Sequence, residues 1–162
     1  MAGLTTVDPR PVSASRTELA ELMMPQHANI LGKVFGGTIL GLIDKAAASA
    51  AIRHAGRIAV TATFDQVVFH APIEIGELVR IVAAVNAVGR TSMEMGVEVF
   101  AMNIRTGETR HTNTCYVTMV AVDDAGRPTP VPPLAVETDE ERRLEAEAQA
   151  RMQARRQARK PA

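Results

Sequence analysis

The chain reads as an α+β protein in which one curved antiparallel sheet wraps a single long apolar helix, and three observations lead there. Residues 27 to 51, HANILGKVFGGTILGLIDKAAASAA, hold a glycine pair and run almost wholly apolar past one carboxylate, Asp44. Four runs of strand-like composition follow, separated by turn signals. One concentrated helical signal with hairpin-like strands elsewhere is the α+β pattern, not the alternation that builds a parallel sheet. The length, 162 residues, suits one domain with a real core.

Upstream, residues 16 to 24, RTELAELMM, read as a short strand by their position before the helix. The helix is predicted from Gly37 to His54, about 18 residues and roughly 27 Å at the usual rise. Between Thr38 and Ile52 its only charges are Asp44 and Lys45, so its apolar surface goes nearly all the way round and predicts full enclosure. Residues 58 to 69, IAVTATFDQVVF, are β-branched and aromatic and stop at Ala71-Pro72. Residues 78 to 88 lead to a tight turn at Gly89-Arg90, and residues 91 to 102 begin there. This third run alternates: Met93, Met95, Val97 and Val99 face one way, and Ser92, Glu94, Gly96 and Glu98 face a wetter side. After a turn containing Gly107, residues 109 to 122 form the fourth strand and end at Asp123-Asp124-Ala125-Gly126. With only 3% aromatic residues, the core must be Val, Ile, Ala, Leu and Met.

Residues 127 to 134, RPTPVPPL, cannot continue a sheet interior. Thr138 to Glu141 then matches a capping box. Acids crowd the start of that segment, and Arg151, Arg155, Arg156, Arg159 and Lys160 crowd its end, which complements the helix dipole. Its apolar stripe of Leu144, Ala148 and Met152 is thin, so it reads as a solvated tail helix, with a basic anion-binding arm as the alternative. The organisation is thus a flexible N-terminus (1–15), a single folded domain (16–136) and a charged C-terminal helix (137–162).

Eighteen basic and eighteen acidic side chains cancel, which disfavours a nucleic-acid partner. A lone cysteine, Cys115, excludes an intramolecular disulfide framework and reads as a buried inert thiol. The first residues carry no apolar signal core, and no run reaches the length of a membrane span, which implies a cytoplasmic protein. The histidines and Cys115 show no metal spacing, and no G-x-S-x-G context appears. His70 reads as a strand-end hydrogen-bonding residue.

The order Asn29, Gly32, Phe35-Gly36-Gly37, Asp44, His70-Ala71-Pro72, Gly76-Glu77 and Thr91-Ser92-Met93 resembles the hot-dog-fold acyl-CoA thioesterases, specifically the YciA-type and brain-type acyl-CoA hydrolases. The resemblance covers about residues 20 to 145. It implies hydrolysis of fatty acyl-CoA to a free fatty acid and coenzyme A, with no cofactor, because coenzyme A is part of substrate and product. It also implies a homodimer at minimum, assembled as a trimer of dimers, with Asn29 contributed by the opposite half of the dimer.

The residues fit that chemistry. A thioester carbonyl is already electrophilic, so hydrolysis needs a placed water or nucleophile and a site for the oxyanion. Amides of Gly36 and Gly37 at a helix N-terminus supply the second, and losing one such donor typically costs about 3 to 4 kcal/mol. Asp44 is expected, as the resemblance implies, to act as general base or as a nucleophile forming a mixed anhydride; Lys45 beside it points elsewhere on the helix. By resemblance, Gly89, Arg90, Thr91 and Ser92 lie near the nucleotide of coenzyme A, and Arg57 is a further basic candidate. Two alternatives stand beside the hydrolase. A hydroxyacyl-thioester dehydratase would want a catalytic histidine paired with an acid. A non-catalytic acyl-CoA sensor would bring a regulatory domain for which the termini are too short.

Overall fold

The computed structural model describes residues 7–65 and 67–159. Along the chain the elements are β1 (Arg10–Pro11), α1 (Val12–Ser15), β2 (Thr17–Leu22), α2 (Gly36–Ala55), β3 (Ala59–Phe64), β4 (Leu78–Val88), β5 (Ser92–Met102), β6 (Thr109–Ala121), β7 (Leu134–Ala135) and α3 (Asp139–Ala158). A short 3-10 turn, Pro25–His27, precedes α2.

Helix α2 stops where the sequence supplies Gly56. That glycine takes a left-handed conformation, φ 66°, and returns its N–H to the Ile52 carbonyl at 2.8 Å. Arg10 caps the same end by donating to the carbonyls of His54 (2.6 Å) and Arg53 (3.3 Å). Ile39, Ile43, Ala46, Ala47, Ala50 and Ala51 are buried against the sheet. The full enclosure expected from the sequence does not hold within one chain: Gly37, Gly41, Lys45 and Ile52 are exposed along one side. A sheet from one chain covers one side of a helix, and the apolar character of the other side is left for something else.

The five-stranded sheet is antiparallel throughout, in the order β2-β4-β5-β6-β3. Its inner face packs Val79, Ile81, Met93, Met95, Val117 and Met119 on α2. The run expected as a strand to residue 69 ends at Phe64 and lies on the far edge, paired with β6, not beside β4. Residues 67–77 therefore lie on the way from one edge toward the other. On the way they pass the N-terminal end of α2, where Ile73 O accepts from Val34 N at 2.9 Å.

Two other expectations change. Of the flexible N-terminal lead-in, residues 1–6 lie outside the described residues, but Arg10–Pro11 pairs in parallel with Leu134–Ala135. Ser15 beyond it is fully buried, donating to Val12 O (2.7 Å) and accepting from Val85 N (3.0 Å). The C-terminal helix α3 is not a solvated tail, though Lys160 of its expected basic end lies outside the described residues. Thr138 and Glu141 form the predicted capping box, and Ala148 and Met152 are buried with Ala87 on the outer face of the sheet. The supposedly wet side of β5 is thereby covered, and Glu94 is 0% exposed. Arg151 donates to Glu94 at 2.7 Å while its guanidinium lies 3.6 Å over the Tyr116 ring, and Arg155 bridges Glu94 (2.7 Å) and Asp65 (2.6 Å). The thin apolar stripe was misleading because arginine–carboxylate pairs, not hydrophobic area, seat this helix.

Removing one partner of a buried pair strands the other charge and costs about 3 to 5 kcal/mol. Arg151→Met is expected to lower unfolding stability by about 3 kcal/mol, the low end because Arg155 still serves Glu94. Adding Glu94→Met should restore much of the loss. Urea titrations of the single and double variants check this; an additive double variant would contradict it.

Candidate active site

The first turn of α2 presents unpaired amides. Phe35 N donates to His27 O (2.7 Å) and Thr38 N to Phe35 O (3.0 Å), whereas the amides of Gly36 and Gly37 have no backbone partner among the described residues. No side chain caps this end. A Cβ on Gly36 would meet only the Phe69 ring, at an ordinary 3.7 Å. On Gly37 it would meet Phe35, an exposed side chain free to move. Packing within the chain thus does not demand the glycines. What they provide is an open approach to two donors at the positive end of a helix.

Asn29 shares a pocket of about 350 Å³ with Gly36, Ile39, Phe69, His70 and Pro72. Its Oδ1 accepts from Leu31 N (2.9 Å) and Lys33 N (3.2 Å), forming a turn closed by Asn29 N to Lys33 O at 2.7 Å. The carboxamide nitrogen makes no hydrogen bond among the described residues. His70 is exposed on the wall of this pocket, beyond the end of β3, and not at a strand end as expected. The wall itself is tethered. Arg110 donates to Pro72 O (2.8 Å) and to Glu77 Oε2 (2.8 Å), and Lys33 Nζ reaches Glu74 at 2.7 Å.

Asp44 lies elsewhere. It is half-exposed on the flank of α2, and its Oδ1 accepts a short hydrogen bond from the Thr61 hydroxyl on β3. Thr61 escaped the sequence reading, since one threonine in a β-branched strand carries no pattern. The bond occupies one carboxylate oxygen, and Oδ2 has no hydrogen-bond partner among the described residues. From Gly36 to Asp44 the helix rises about 12 Å, so the amides and the carboxylate of one chain stand well apart.

Of the remaining candidates, the Gly89–Ser92 turn is held by Gly89 N to Ser92 O (2.7 Å) and Ala121 N to Thr91 O (3.0 Å). Arg57 lines a hollow with Arg10, Asp123 and Asp124 at the C-terminal end of α2. Both are at the end of the sheet away from Gly36, across a helix of about 30 Å. His27 is a turn residue, accepting from Met24 N at Nδ1 (3.0 Å). Burial pushes the Cys115 thiol up to about 11, with Asp65 adding to the effect, so it is protonated at neutral pH.

An antiparallel sheet curled on an apolar helix, with glycine amides free at the helix N-terminus and a carboxylate on its flank, is the framework of a thioester hydrolase of the hot-dog fold. The family model of the Thioesterase superfamily matches residues 31–108. Protein VdlD of Helicobacter pylori is 41% identical over 133 residues, 81% of this chain and 76% of its own. YkhA of Bacillus subtilis, described as an uncharacterized acyl-CoA thioester hydrolase, is 36% identical over 141 residues, 87% of this chain and 82% of its own. A crystal structure of an apo-hexameric acyl-CoA thioesterase superposes with a TM-score of 0.89 at 41% identity, covering 94% of this chain and 97% of that one. The acyl-CoA hydrolase of Staphylococcus aureus, solved with butyryl-CoA and coenzyme A, superposes at 0.85 and 34% identity over 93% and 92% of the two chains. The chain belongs to the thioesterase superfamily, among its hot-dog acyl-CoA thioester hydrolases, and is an enzyme acting on thioester bonds.

Acid should loosen this architecture in two stages. His54 is fully buried, and burial lowers its pKa from the ordinary 6.5, so the unfolded chain binds a proton there more readily and stability falls as pH drops through and below that value. The hydrogen bond from Arg110 lowers the pKa of Glu77 from 4.5, so its stabilisation is complete above that value and is lost as pH falls through the lower folded one. Unfolding midpoints at descending pH should fall in both windows, and Glu77→Gln should flatten the lower one. Stability that rises on acidification would contradict the assignment.

Proposed function

We propose that the enzyme hydrolyses acyl-CoA to a free acid and coenzyme A at a site shared between two subunits, with Asp44 and Thr61 from one and Asn29, Gly36 and Gly37 from the other. The separation along α2 carries this reading. A catalytic carboxylate, its water, the thioester carbon and the oxyanion donors form a bent chain of steps of about 3 Å each. That chain is shorter than the helical rise of about 12 Å between Gly36 and Asp44. A second copy can bring its own Gly36 end to the first copy's Asp44.

The surface supports the pairing. Phe35, Phe64 and Phe69 are 57%, 37% and 43% exposed, and Ile30 and Leu31 stand beside Asn29 fully or largely exposed. Aromatic and aliphatic groups in that concentration belong to an interface. The related Staphylococcus aureus enzyme has been solved with an asparagine, an aspartate and a threonine each replaced by alanine, spaced along that chain as Asn29, Asp44 and Thr61 are along this one. Related thioesterases are described as hexameric, and a trimer of dimers is the assembly proposed here.

In the mechanism, the Gly36 and Gly37 amides hold the thioester oxygen and stabilise the charge it gains as the carbonyl is attacked. Thr61 holds Asp44 Oδ1, so that Oδ2 takes the proton from water as the water adds to the carbonyl carbon. The Asn29 carboxamide nitrogen orients that water or the carbonyl. Collapse of the tetrahedral intermediate expels the thiolate of coenzyme A, which takes a proton to leave as the thiol. Attack by Asp44 itself, through a mixed anhydride that water then opens, uses the same contacts. The acyl chain lies along the pocket lined by Ile39 and Phe69. No step calls for a cofactor.

Free-thiol release from acyl-CoA tests the assignment. Asp44→Asn is expected to lower kcat by about 10² to 10⁴-fold with the assembly intact. Gly36→Ala should also lose turnover, while its thermal midpoint holds or rises, because alanine in a helix is favoured by about 0.5 to 1 kcal/mol. Binding of acyl-CoA without turnover by the wild type would replace the enzyme reading with a sensor. A monomer by light scattering that retains full activity would remove the shared site.

A further inference from the structure

Two polar side chains are buried side by side in β6. Val99 pairs with Asn113 and Phe100 with His111, so Thr112 is an extra residue in the strand. That bulge lets consecutive residues be shielded together, with Thr112 1% and Asn113 0% exposed. The Thr112 hydroxyl reaches Val99 O and Asn113 Oδ1, each at 3.1 Å, which leaves the carboxamide nitrogen as the open end of the side chain. Asn113 Nδ2 is shut off from water and has no hydrogen-bond partner among the described residues. A stranded donor is costly, and the strands opposite avoid one by placing Val99 and Ile81 at the same level.

The position of Asn113 gives the donor a use. Asp65 N donates to Tyr116 O at 3.0 Å, and Arg110 donates to Pro72 O at 2.8 Å, so the stretch between these tethers runs beside β6 in the opposite sense. Continuing the register of Phe64 with Val117 one residue for one sets Val68 level with Asn113. Asn113 shares its face of the sheet with Val99, which packs in the core on α2. The neighbouring Phe69 ring meets the first turn of α2, 3.7 Å from where a Cβ on Gly36 would stand, and lines the pocket of about 350 Å³ with Ile39. Residues 67–71 make no backbone hydrogen bond among the described residues, so side chains alone close the pocket off from the strand behind it. Arg110, the cation on this part of β6, is committed to Glu77 and Pro72 O. A free N–H with no free cation beside it suits a neutral oxygen and not a carboxylate.

We infer that Asn113 Nδ2 is a substrate-binding donor at the inner end of the acyl pocket, and that the preferred acyl group carries a neutral oxygen acceptor, a keto or hydroxyl group, along its chain. The inference rests on the acyl-CoA reading above and adds the class of acyl group. A site built around such a donor rejects the plain chain more strongly than it would a chain one methylene short, because the plain chain leaves the N–H unpaired.

Hexanoyl-CoA, 4-oxohexanoyl-CoA and 5-oxohexanoyl-CoA share one chain length, and their ketones are too remote to activate the thioester. Wild-type kcat/KM is expected to be about tenfold higher for the better oxo substrate than for hexanoyl-CoA, the worth of one neutral hydrogen bond. Asn113→Leu, close in volume, should abolish the preference by losing on the oxo substrate and gaining on hexanoyl-CoA. Thr118→Val removes another shielded, unpartnered group, level with Glu94 on the outer face, and should keep the wild-type ratio. The same ratio in wild type and Asn113→Leu makes the asparagine a structural residue satisfied by a buried water, and overturns the proposal. A wild-type ratio near one overturns it without any variant. Should Asn113→Leu fail to fold, Asn113→Ala reads the same ratio. If the wild type hydrolyses none of the three, the thioesterase reading fails by itself, and calorimetric titration with the same compounds gives the ratio as one of Kd.

Discussion

The constraint on which the rest of this structure depends is the apolar circumference of α2. A helix with two charges in its central fifteen residues cannot leave any side to water at low cost, yet a five-stranded sheet shields only the side it curls around. The sheet settles one half of the problem with a core of valine, isoleucine, alanine and methionine. The other half, with Gly37, Gly41 and Ile52 open and phenylalanines left outside the core, is a demand for a second molecule written into the first. The demand falls on the same flank that carries Asp44. The open apolar side of the helix and the carboxylate proposed for catalysis therefore lie on the same flank, the one the proposed shared site uses.

The outer face of the sheet meets a different requirement with different means. A strand that alternates Met and Glu would normally leave its glutamates wet, but α3 closes over Glu94 with two arginines and a stacked tyrosine. Such a pair adds little net stability over a hydrophobic alternative, yet removing one partner is costly because it leaves the other charge buried. Arg155 extends the arrangement to Asp65, where the crossing segment begins that ends at Glu77 and Arg110. The pocket wall is thus pinned at both of its ends by arginine.

Sequence alone showed the long helix, the strands and the turns, because each rests on local composition and period. Gly89 and Gly107 stand at or beside the turns where they were read, and the Thr138–Glu141 cap formed as its spacing implied. Legible too were Gly36-Gly37 at a helix N-terminus and Asp44 on that helix. What stayed hidden was long-range. That β3 lies across the sheet from β4, that α3 covers Glu94, and that Arg10 caps α2 are facts about partners 40 or more residues apart, which no window of periodicity reports. Thr61 was invisible for the same reason, its partner being on another element.

One irregularity in β3 has an effect out of proportion to its size. Thr61 pairs with Met119 and Thr63 with Thr118, leaving Ala62 as an extra residue without an opposite. In a regular strand, residues two apart look the same way. Here they do not: Thr61 turns to Asp44 beneath the sheet, and Thr63 turns to Arg159 above it. The bulge absorbs the extra residue, so the alternation of faces that adjacent strand residues would show is kept across it, and each threonine still meets its own partner.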